Sequence, residues 1–176
     1  MFGLKVLVLY YSRSGATRKV AEDLAYLFDA DCEEIRLSQD RNGPLAEFKT
    51  RLDAALHRPV EVRPTQFDPF LYDLVVVGSP VWSGHIAAPV RQWLEARGSR
   101  IHTSAFFGIH DGCGANLAFR KMQEVVNQEP MATLEVPEWE TRGEDYQTKL
   151  CQFTRLVRRR ASLFTTLQSE IWSPSL

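Results

Sequence analysis

The chain has 176 residues, of which 44% are hydrophobic and 24% are charged, and this composition excludes a disordered or fibrous protein. Its 21 basic and 22 acidic side chains leave a net charge of −1, so no general field is available to hold nucleic acid or an anionic membrane. The three cysteines are too scattered for a disulfide framework or a Cys-x-x-Cys metal site.

The ends of the chain and its apolar runs predict where the protein resides. No apolar run approaches the roughly 18 residues that a membrane helix needs. Strand-like sequence begins within three residues of the N-terminus, which leaves no room for a signal peptide. We therefore expect a cytoplasmic protein with one domain over residues 1–167 and a C-terminal tail over residues 168–176.

The first half of the chain begins with a strand and a helix. Residues 4–10 form a nearly continuous apolar run, which predicts a strand buried on both faces. Apolar residues then recur at helical spacing from Val20 to Phe28. A short, polar edge strand is expected over residues 33–37, and a second helix is expected to open at residues 42–44.

The middle of the chain contains the other two clear strands. Three prolines predict a loop over residues 59–69, and a buried strand follows over residues 73–78. The next helix is expected to carry Ile86 and Leu94 on its apolar side. Another buried strand is predicted over residues 103–109.

The last third of the chain completes the pattern. Apolar spacing predicts a helix that includes Ala118 and Val126, and residues 132–136 alternate as a half-exposed edge strand does. The final helix presents an apolar stripe that begins at Tyr146, and its basic stretch over residues 155–160 is expected to be a solvated face. Five strands alternating with five helices predict an α/β sandwich with a mostly parallel sheet.

The candidate site follows from this architecture. In open parallel sheets, ligands bind beyond the carboxyl ends of the strands, at the switch in strand order. Three loops leave the three clearest strands at that edge, over residues 11–16, 79–85 and 110–115. We therefore expect these loops to form one binding site.

A loop rich in hydroxyls and small residues joins the first strand to its helix: Ser12, Arg13, Ser14, Gly15, Ala16 and Thr17. Its converging backbone N–H groups and hydroxyls, with the positive end of the helix, are suited to a phosphate. Hydrogen bonds to a charged group contribute about 1.5–3 kcal/mol each, against about 0.3–1 kcal/mol for the helix dipole. The hydrogen-bond donors should therefore contribute most of the phosphate-binding energy. Arg13, Arg18 and Lys19 would add positive charge. The alternative is that Ser14 or Thr17 only caps the helix.

Other phosphate motifs do not match. The chain has no Gly-x-x-x-x-Gly-Lys-Ser/Thr segment, which excludes the ordinary nucleotide triphosphatases. Gly112 and Gly114 follow a strand, but Leu117 occupies the third glycine position of the dinucleotide fingerprint.

Two segments resemble the flavodoxin family. The loop over residues 12–17 is similar to the Ser/Thr-x-Ser/Thr-Gly-x-Thr loop that holds the phosphate of FMN in flavodoxins. Residues 72–82 are similar to the third strand and flavin loop of flavodoxin-like proteins, including the quinone-reductase branch. The resemblance covers roughly residues 4–165 in element order. It implies a flavodoxin-like three-layer sandwich with a five-stranded parallel sheet in the order 2-1-3-4-5, helices on both faces, and FMN as the cofactor.

The resemblance also implies two flavin-binding loops beside the phosphate loop. The second loop comprises Ser79, Pro80, Val81, Trp82, Ser83 and Gly84, and the third comprises His110, Asp111, Gly112, Cys113 and Gly114. Trp82 could stack on the flavin ring, or it could belong to the core. The backbone of Ser83 and Gly84 would face the flavin N5 edge, or the pair could be an ordinary turn.

The third loop would lie along the pyrimidine side of the flavin. His110 is a residue type suited to proton exchange near neutrality, although it could equally be a solvated loop residue. Asp111 could cap the following helix. Cys113 has no identified partner thiol and is expected to be a small loop residue.

The leading hypothesis is an FMN-binding redox protein, with no catalytic side chain and no metal. One role is an electron carrier that docks to a redox partner protein. The other is an NAD(P)H-dependent FMN-containing quinone or flavin reductase with a small acceptor. A flavin-free binding or signalling protein on the same fold is the third alternative. We expect no nucleic acid partner and no membrane insertion, and either a monomer or a homodimer.

Overall fold

A computed structural model describes residues 4–38, 56 and 58–171, apart from the side chains of residue 144 and of residues 164–171. The strands are β1 (Val6–Tyr10), β2 (Asp31–Glu34), β3 (Leu74–Trp82), β4 (His85–Ile86), β5 (Ser104–His110) and β6 (Thr133–Pro137). Five of them are parallel, in the order β2-β1-β3-β5-β6, and β4 pairs antiparallel with β3. The parallel order is the predicted 2-1-3-4-5, which is confirmed, and β4 is an additional short strand.

The described helices are α1 (Ala16–Phe28), α2 (Ala88–Arg97), α3 (Ala115–Val126) and α4 (Glu144–Ile171). Short 3-10 turns lie at Pro69–Leu71, Gly98–Arg100 and Glu138–Arg142. The helix predicted to open at residues 42–44 lies outside the described residues. The domain boundary predicted after Leu167 stays a prediction, and α4 itself continues to Ile171.

The sheet is covered on both faces, which explains the continuous apolar run of β1. Successive side chains of a strand point to opposite faces. Val6 and Val8 therefore pack in the core on the α1 and α4 side, whereas Leu7 and Leu9 pack in the core on the α2 and α3 side. All four side chains are buried. No polar face is left on this strand, as expected for a central strand of a parallel sheet.

The edge strand lies earlier than the sequence predicted. Residues 33–37 were expected to be extended, but β2 covers Asp31–Glu34 and pairs with β1 only as far as Tyr10↔Glu34. The Ile35 amide still donates to the Tyr10 carbonyl at 2.6 Å, but β1 ends there and its pairing with this segment goes no further. Leu37 instead forms an antiparallel bridge with Val62.

The strand β3 is longer than predicted, and the helix after it begins later. The strand was expected to end at residue 78, but it continues to Trp82 because Val81 pairs with both β5 and β4. Ser83 and Gly84 form the two-residue turn between β3 and β4, with φ of 49° and 79°. Two positive φ angles are the geometry that a tight β-hairpin turn requires. Ile86, predicted to be helical, therefore lies on β4.

Candidate functional site

An open cavity of about 260 Å³ lies at the carboxyl edge of the sheet. It is lined by Arg13, Ser14, Thr17, Pro80, Trp82, Ile109, Asp111 and Glu138. These residues come from the ends of β1, β3, β5 and β6 and from the start of α1. The parallel sheet thus brings together the three predicted loops and one further segment, as the rule for ligand sites in open sheets requires.

The loop after β1 leads directly into the N-terminus of α1. The N-cap residue is Gly15, with a φ of 93°, and no side-chain hydrogen bond caps this helix among the described residues. The alternative that Ser14 or Thr17 merely caps α1 is therefore wrong. The first backbone N–H groups of a helix have no partner within it. At α1 they remain available to an anion.

The three hydroxyls of this loop have different surroundings. The Ser14 hydroxyl is exposed and donates to Oε1 of Glu138 at 2.7 Å. Thr17 is buried and lines the cavity. Oγ of Ser12 is buried and has no hydrogen-bond partner within the described part of the chain.

The positive charge at the cavity comes from Arg13. Of the described residues it is the only base in the cavity lining, and it makes no ion pair with any of them. Arg18 instead donates to both carboxylate oxygens of Glu34, at 2.9 and 3.0 Å, and this contact raises the pKa of Arg18 above its usual value. Lys19 donates to Asp23 at 2.7 Å. The expectation that Arg18 and Lys19 assist a phosphate is therefore wrong for this arrangement of the side chains.

The second loop is the end of a strand and a hairpin turn. Pro80 and Trp82 line the cavity, and half-buried Trp82 also packs against the core on the α2 and α3 side. The core interpretation of this tryptophan therefore applies in part, and its stacking on a flavin ring stays a prediction. Ser79 is wholly buried, and its hydroxyl accepts from the Ala87 amide at 2.9 Å and donates to the Pro80 carbonyl at 2.8 Å. Its side chain holds the start of α2 and does not line the cavity.

His110 is the last residue of β5 and not part of a solvated loop. Its side chain is only 8% exposed, and Nδ1 has no hydrogen-bond partner among the residues that the structure describes. It lies between two residues that line the cavity, Ile109 and Asp111. An unpaired buried polar atom costs about 1–3 kcal/mol, so this ring is suited to a partner that a ligand would bring.

The other residues of the third loop shape the start of α3. The N-cap of this helix is Gly114, with a φ of 97°, and no side chain caps it in the described region. The prediction that Asp111 caps α3 is therefore wrong, and Asp111 lines the cavity instead. Gly112 and Cys113 are exposed, and Cys113 is a free thiol.

The second and third loops touch each other away from the cavity lining. Gly114 packs so closely on Gly84 that a Cβ on Gly114 would lie 2.5 Å from the Gly84 nitrogen. The predicted residues that do not line the cavity are Ser12, Gly15, Ala16, Ser79, Val81, Ser83, Gly84, His110, Gly112, Cys113 and Gly114. Several of them nevertheless position the lining residues, as Gly84 and Gly114 do.

Sequence reasoning missed Glu138. This residue begins the 3-10 turn that follows β6, and its carboxylate reaches the loop after β1. The same rule that selected the other loops could have found it, since it too lies beyond the carboxyl end of a parallel strand. It was overlooked because β6 is an edge strand and only the three clearest strands were considered.

The residues present fit a phosphorylated flavin. The uncapped end of α1, two hydroxyls and an arginine are suited to a phosphate, and Pro80, Trp82 and Ile109 provide the apolar surface that a flat ring needs. The buried atoms without partners, Oγ of Ser12 and Nδ1 of His110, lie in the predicted binding loops. In the described part of the chain, no group of three potential metal ligands is found, and no helix is long and apolar enough to cross a membrane.

Comparison with known proteins identifies similar families and folds. A family model described as flavodoxin matches residues 5–130. No curated protein sequence matches the chain. A flavoprotein from Lactobacillus acidophilus NCFM, solved in complex with FMN, is 26% identical, with a TM-score of 0.66, over 75% of this chain and 93% of that one.

Two flavodoxins share the fold at lower identity. Oxidised flavodoxin 2 from Bacillus cereus is 15% identical, with a TM-score of 0.59, over 89% of this chain and 99% of its own. A flavodoxin from Streptococcus pneumoniae TIGR4 is 15% identical, with a TM-score of 0.58, over 88% of this chain and 98% of its own. These two likenesses concern the fold alone.

Proposed function

The chain belongs to the flavodoxin family, and on this premise we propose that it binds FMN non-covalently and carries electrons between redox partner proteins. When bound, FMN supplies the redox chemistry, while the protein supplies binding and orientation. The flavoprotein of L. acidophilus, which is solved with FMN, supports this proposal. The observation that carries it is a single cavity lined by the phosphate loop on one side and by Pro80 and Trp82 on another.

The phosphate end of the cavity is formed by the loop after β1. Ser14, Thr17 and the first N–H groups of α1 would donate to the phosphate oxygens, and Arg13 would add its positive charge. The left-handed φ of Gly15 turns the chain from the strand into the helix without a side-chain cap. The backbone N–H groups at the start of α1 are therefore positioned before a ligand arrives, which reduces the entropic cost of binding.

The ring end of the cavity is formed by the strand ends of β3 and β5. Trp82 and Ile109 would contact the flavin ring and exclude water from it. His110 does not line the cavity but lies between two residues that do, and its buried, unpaired Nδ1 would hydrogen-bond to a flavin that reached it. Binding would thus satisfy an atom that has no partner among the described residues.

Binding of FMN to the protein, followed by the quenching of flavin fluorescence, tests the phosphate site. Replacing both Ser14→Ala and Thr17→Ala removes two donors to a charged group, each contributing about 1.5–3 kcal/mol, so the dissociation constant should rise at least about a hundredfold. The control replaces two exposed hydroxyls that do not line the cavity, Ser99→Ala with Thr148→Ala. Equal affinities in the two double variants would refute this assignment of the phosphate site.

A second experiment separates the carrier from the reductase. The FMN-loaded protein is mixed anaerobically with NADH or NADPH, and the flavin absorbance is followed. A carrier that depends on a protein partner should keep its flavin oxidised. Rapid bleaching by either nucleotide would overturn the carrier role and favour an NAD(P)H-dependent reductase, whose quinone and nitro acceptors would then be screened.

A further inference from the structure

The phosphate loop holds a carboxylate of the protein itself. Oγ of Ser14 donates to Oε1 of Glu138 at 2.7 Å, across 124 positions of sequence. Both residues line the cavity, Ser14 from the loop after β1 and Glu138 from the 3-10 turn after β6. One of the donors suited to a phosphate is therefore already bonded to an anion.

The charges around the cavity make this contact consequential. Among the residues that the structure describes, the lining contains one basic residue, Arg13, and two acidic ones, Asp111 and Glu138. A phosphate that approached Ser14 would have to displace the Glu138 carboxylate, and its negative charge would be repelled by that carboxylate if it stayed close. Repulsion between like charges a few ångströms apart at a protein surface is large enough to change an affinity severalfold or more.

The Glu138 side chain can leave while its backbone stays in place. The Thr141 hydroxyl donates to the Glu138 carbonyl at 2.8 Å, and Glu140 of the same turn accepts from Lys149 at 2.6 Å. These contacts hold the turn to itself and to α4. The Glu138 side chain is exposed, so rotation about its own bonds is enough to release Ser14.

We propose that Glu138 is a specificity-determining residue, which binds the phosphate loop in the place of the ligand phosphate and lowers the affinity for phosphorylated flavin relative to phosphate-free flavin. This inference rests on the proposed function, since it assigns Glu138 to the phosphate end of the same cavity. It predicts that the negative charge of Glu138, and not its size, opposes FMN.

The variant Glu138→Gln tests this, because glutamine keeps the shape and the acceptor oxygen but loses the charge. The control Glu135→Gln removes an equal charge from an exposed position on β6, where no contact with Ser14 exists. Dissociation constants for FMN and riboflavin are measured by fluorescence quenching at low salt. We expect Glu138→Gln to bind FMN roughly tenfold more tightly and riboflavin within about twofold of the unchanged protein. The control should leave both constants unchanged.

The outcomes separate this inference from the proposed function. Equal FMN affinity in the unchanged protein and in Glu138→Gln would overturn the role of Glu138 while leaving FMN binding intact. An equal gain for FMN and riboflavin would also overturn it, because the effect would not concern the phosphate. Failure of both proteins to bind either flavin would overturn the proposed function and this inference with it. Binding of FMN by Glu138→Gln alone would support the inference strongly.

Discussion

Two glycines fix the distance between the second and third loops of the site. Gly114 is in the left-handed region, with a φ of 97°, and a Cβ there would lie 2.5 Å from the nitrogen of Gly84. Gly112, two positions earlier, has no heavy atom within 4 Å of an added Cβ. The same substitution at these two positions therefore separates the combined effect of left-handed backbone and close packing from a general loop effect.

We expect Gly114→Ala to lower the free energy of unfolding by about 1–3 kcal/mol through backbone strain, with a further loss from the clash with Gly84. Gly112→Ala should change it by no more than about 0.5 kcal/mol. Urea denaturation measures both. A Gly114→Ala protein as stable as Gly112→Ala would contradict the close contact between the loops.

Two serines show what a sequence motif cannot decide. Ser14 and Ser79 each come after a strand predicted from the sequence, and both are predicted to bind the cofactor. Ser14 is exposed at the cavity, whereas the Ser79 hydroxyl is buried and bonded to the backbone at Pro80 and Ala87. The difference arises because β4 folds back on β3 and brings the start of α2 over Ser79. The residues next to Ser79 in sequence do not reveal this pairing.

At the scale of elements, α1 and α4 are joined by a buried tyrosine. Tyr146 of α4 donates to Oδ2 of Asp23 on α1 at 2.6 Å, and the same oxygen accepts from Lys19 at 2.7 Å. Burial, and then the hydrogen bond to Asp23, raise the pKa of Tyr146 above its usual value. The interface between the two helices thus contains a neutral phenol that folding keeps protonated.

This raised pKa predicts a loss of stability at high pH. Above about pH 10 the unfolded chain releases the Tyr146 proton while the folded chain retains it, so the free energy of unfolding falls as pH rises, by at most about 1.4 kcal/mol per pH unit. Tyr146→Phe should remove this part of the slope and cost about 1.5–3 kcal/mol at pH 7. Chemical denaturation at several pH values measures both effects.

Tyr26 provides the matched control, because it lies on α1 and is 87% exposed. Tyr26→Phe should leave both the stability at pH 7 and the slope above pH 10 nearly unchanged. If the free energy of unfolding fell equally with pH in the two variants, Tyr146 would not be the group that makes stability depend on pH.

The arginines in the basic stretch of α4 are exposed, as predicted for a solvated face, and two of them also contact neighbouring segments. Within residues 155–160, Arg158 donates to the Leu27 carbonyl at 2.7 Å and Arg160 donates to the Met131 carbonyl. Leu27 lies in the last turn of α1, where helix carbonyls lack partners within the helix. These arginines therefore link α4 to neighbouring segments, although their side chains stay largely exposed.

At the scale of the whole molecule, the site depends on the complete sheet. Its lining residues come from the ends of four strands, between Arg13 and Glu138 in sequence, so no short segment contains the site. A ligand held there binds the folded chain and not the unfolded one. Binding must therefore stabilise the whole domain.

We expect FMN at one hundred times its dissociation constant to add about 2.7 kcal/mol to the stability, which corresponds to a rise in Tm of roughly 5–10 °C. Thermal denaturation with and without FMN measures this rise. The Ser14→Ala and Thr17→Ala double variant, at the same FMN concentration, should show a much smaller rise. A Tm that does not respond to saturating FMN would count against the proposed site.

Local patterns in the sequence predict the order of the five parallel strands and of the described helices, and the edge of the sheet at which the cavity lies. Apolar periodicity and glycine-rich loops are local signals, because burial on both faces and tight turns each constrain neighbouring residues directly. The parallel order follows from these signals with the family resemblance. The three loops, and six of the eight residues that line the cavity, were therefore among the predictions.

The fold determines how those residues are used, beyond what local patterns predict. It extended β3 to Trp82, buried His110, placed Arg18 on Glu34, and brought Glu138 to Ser14. Each of these results from a contact between segments that are far apart in the chain, or from a strand pairing that lengthens an element. A local pattern carries no information about such contacts, since the partner residue is chosen by the packing of the whole domain.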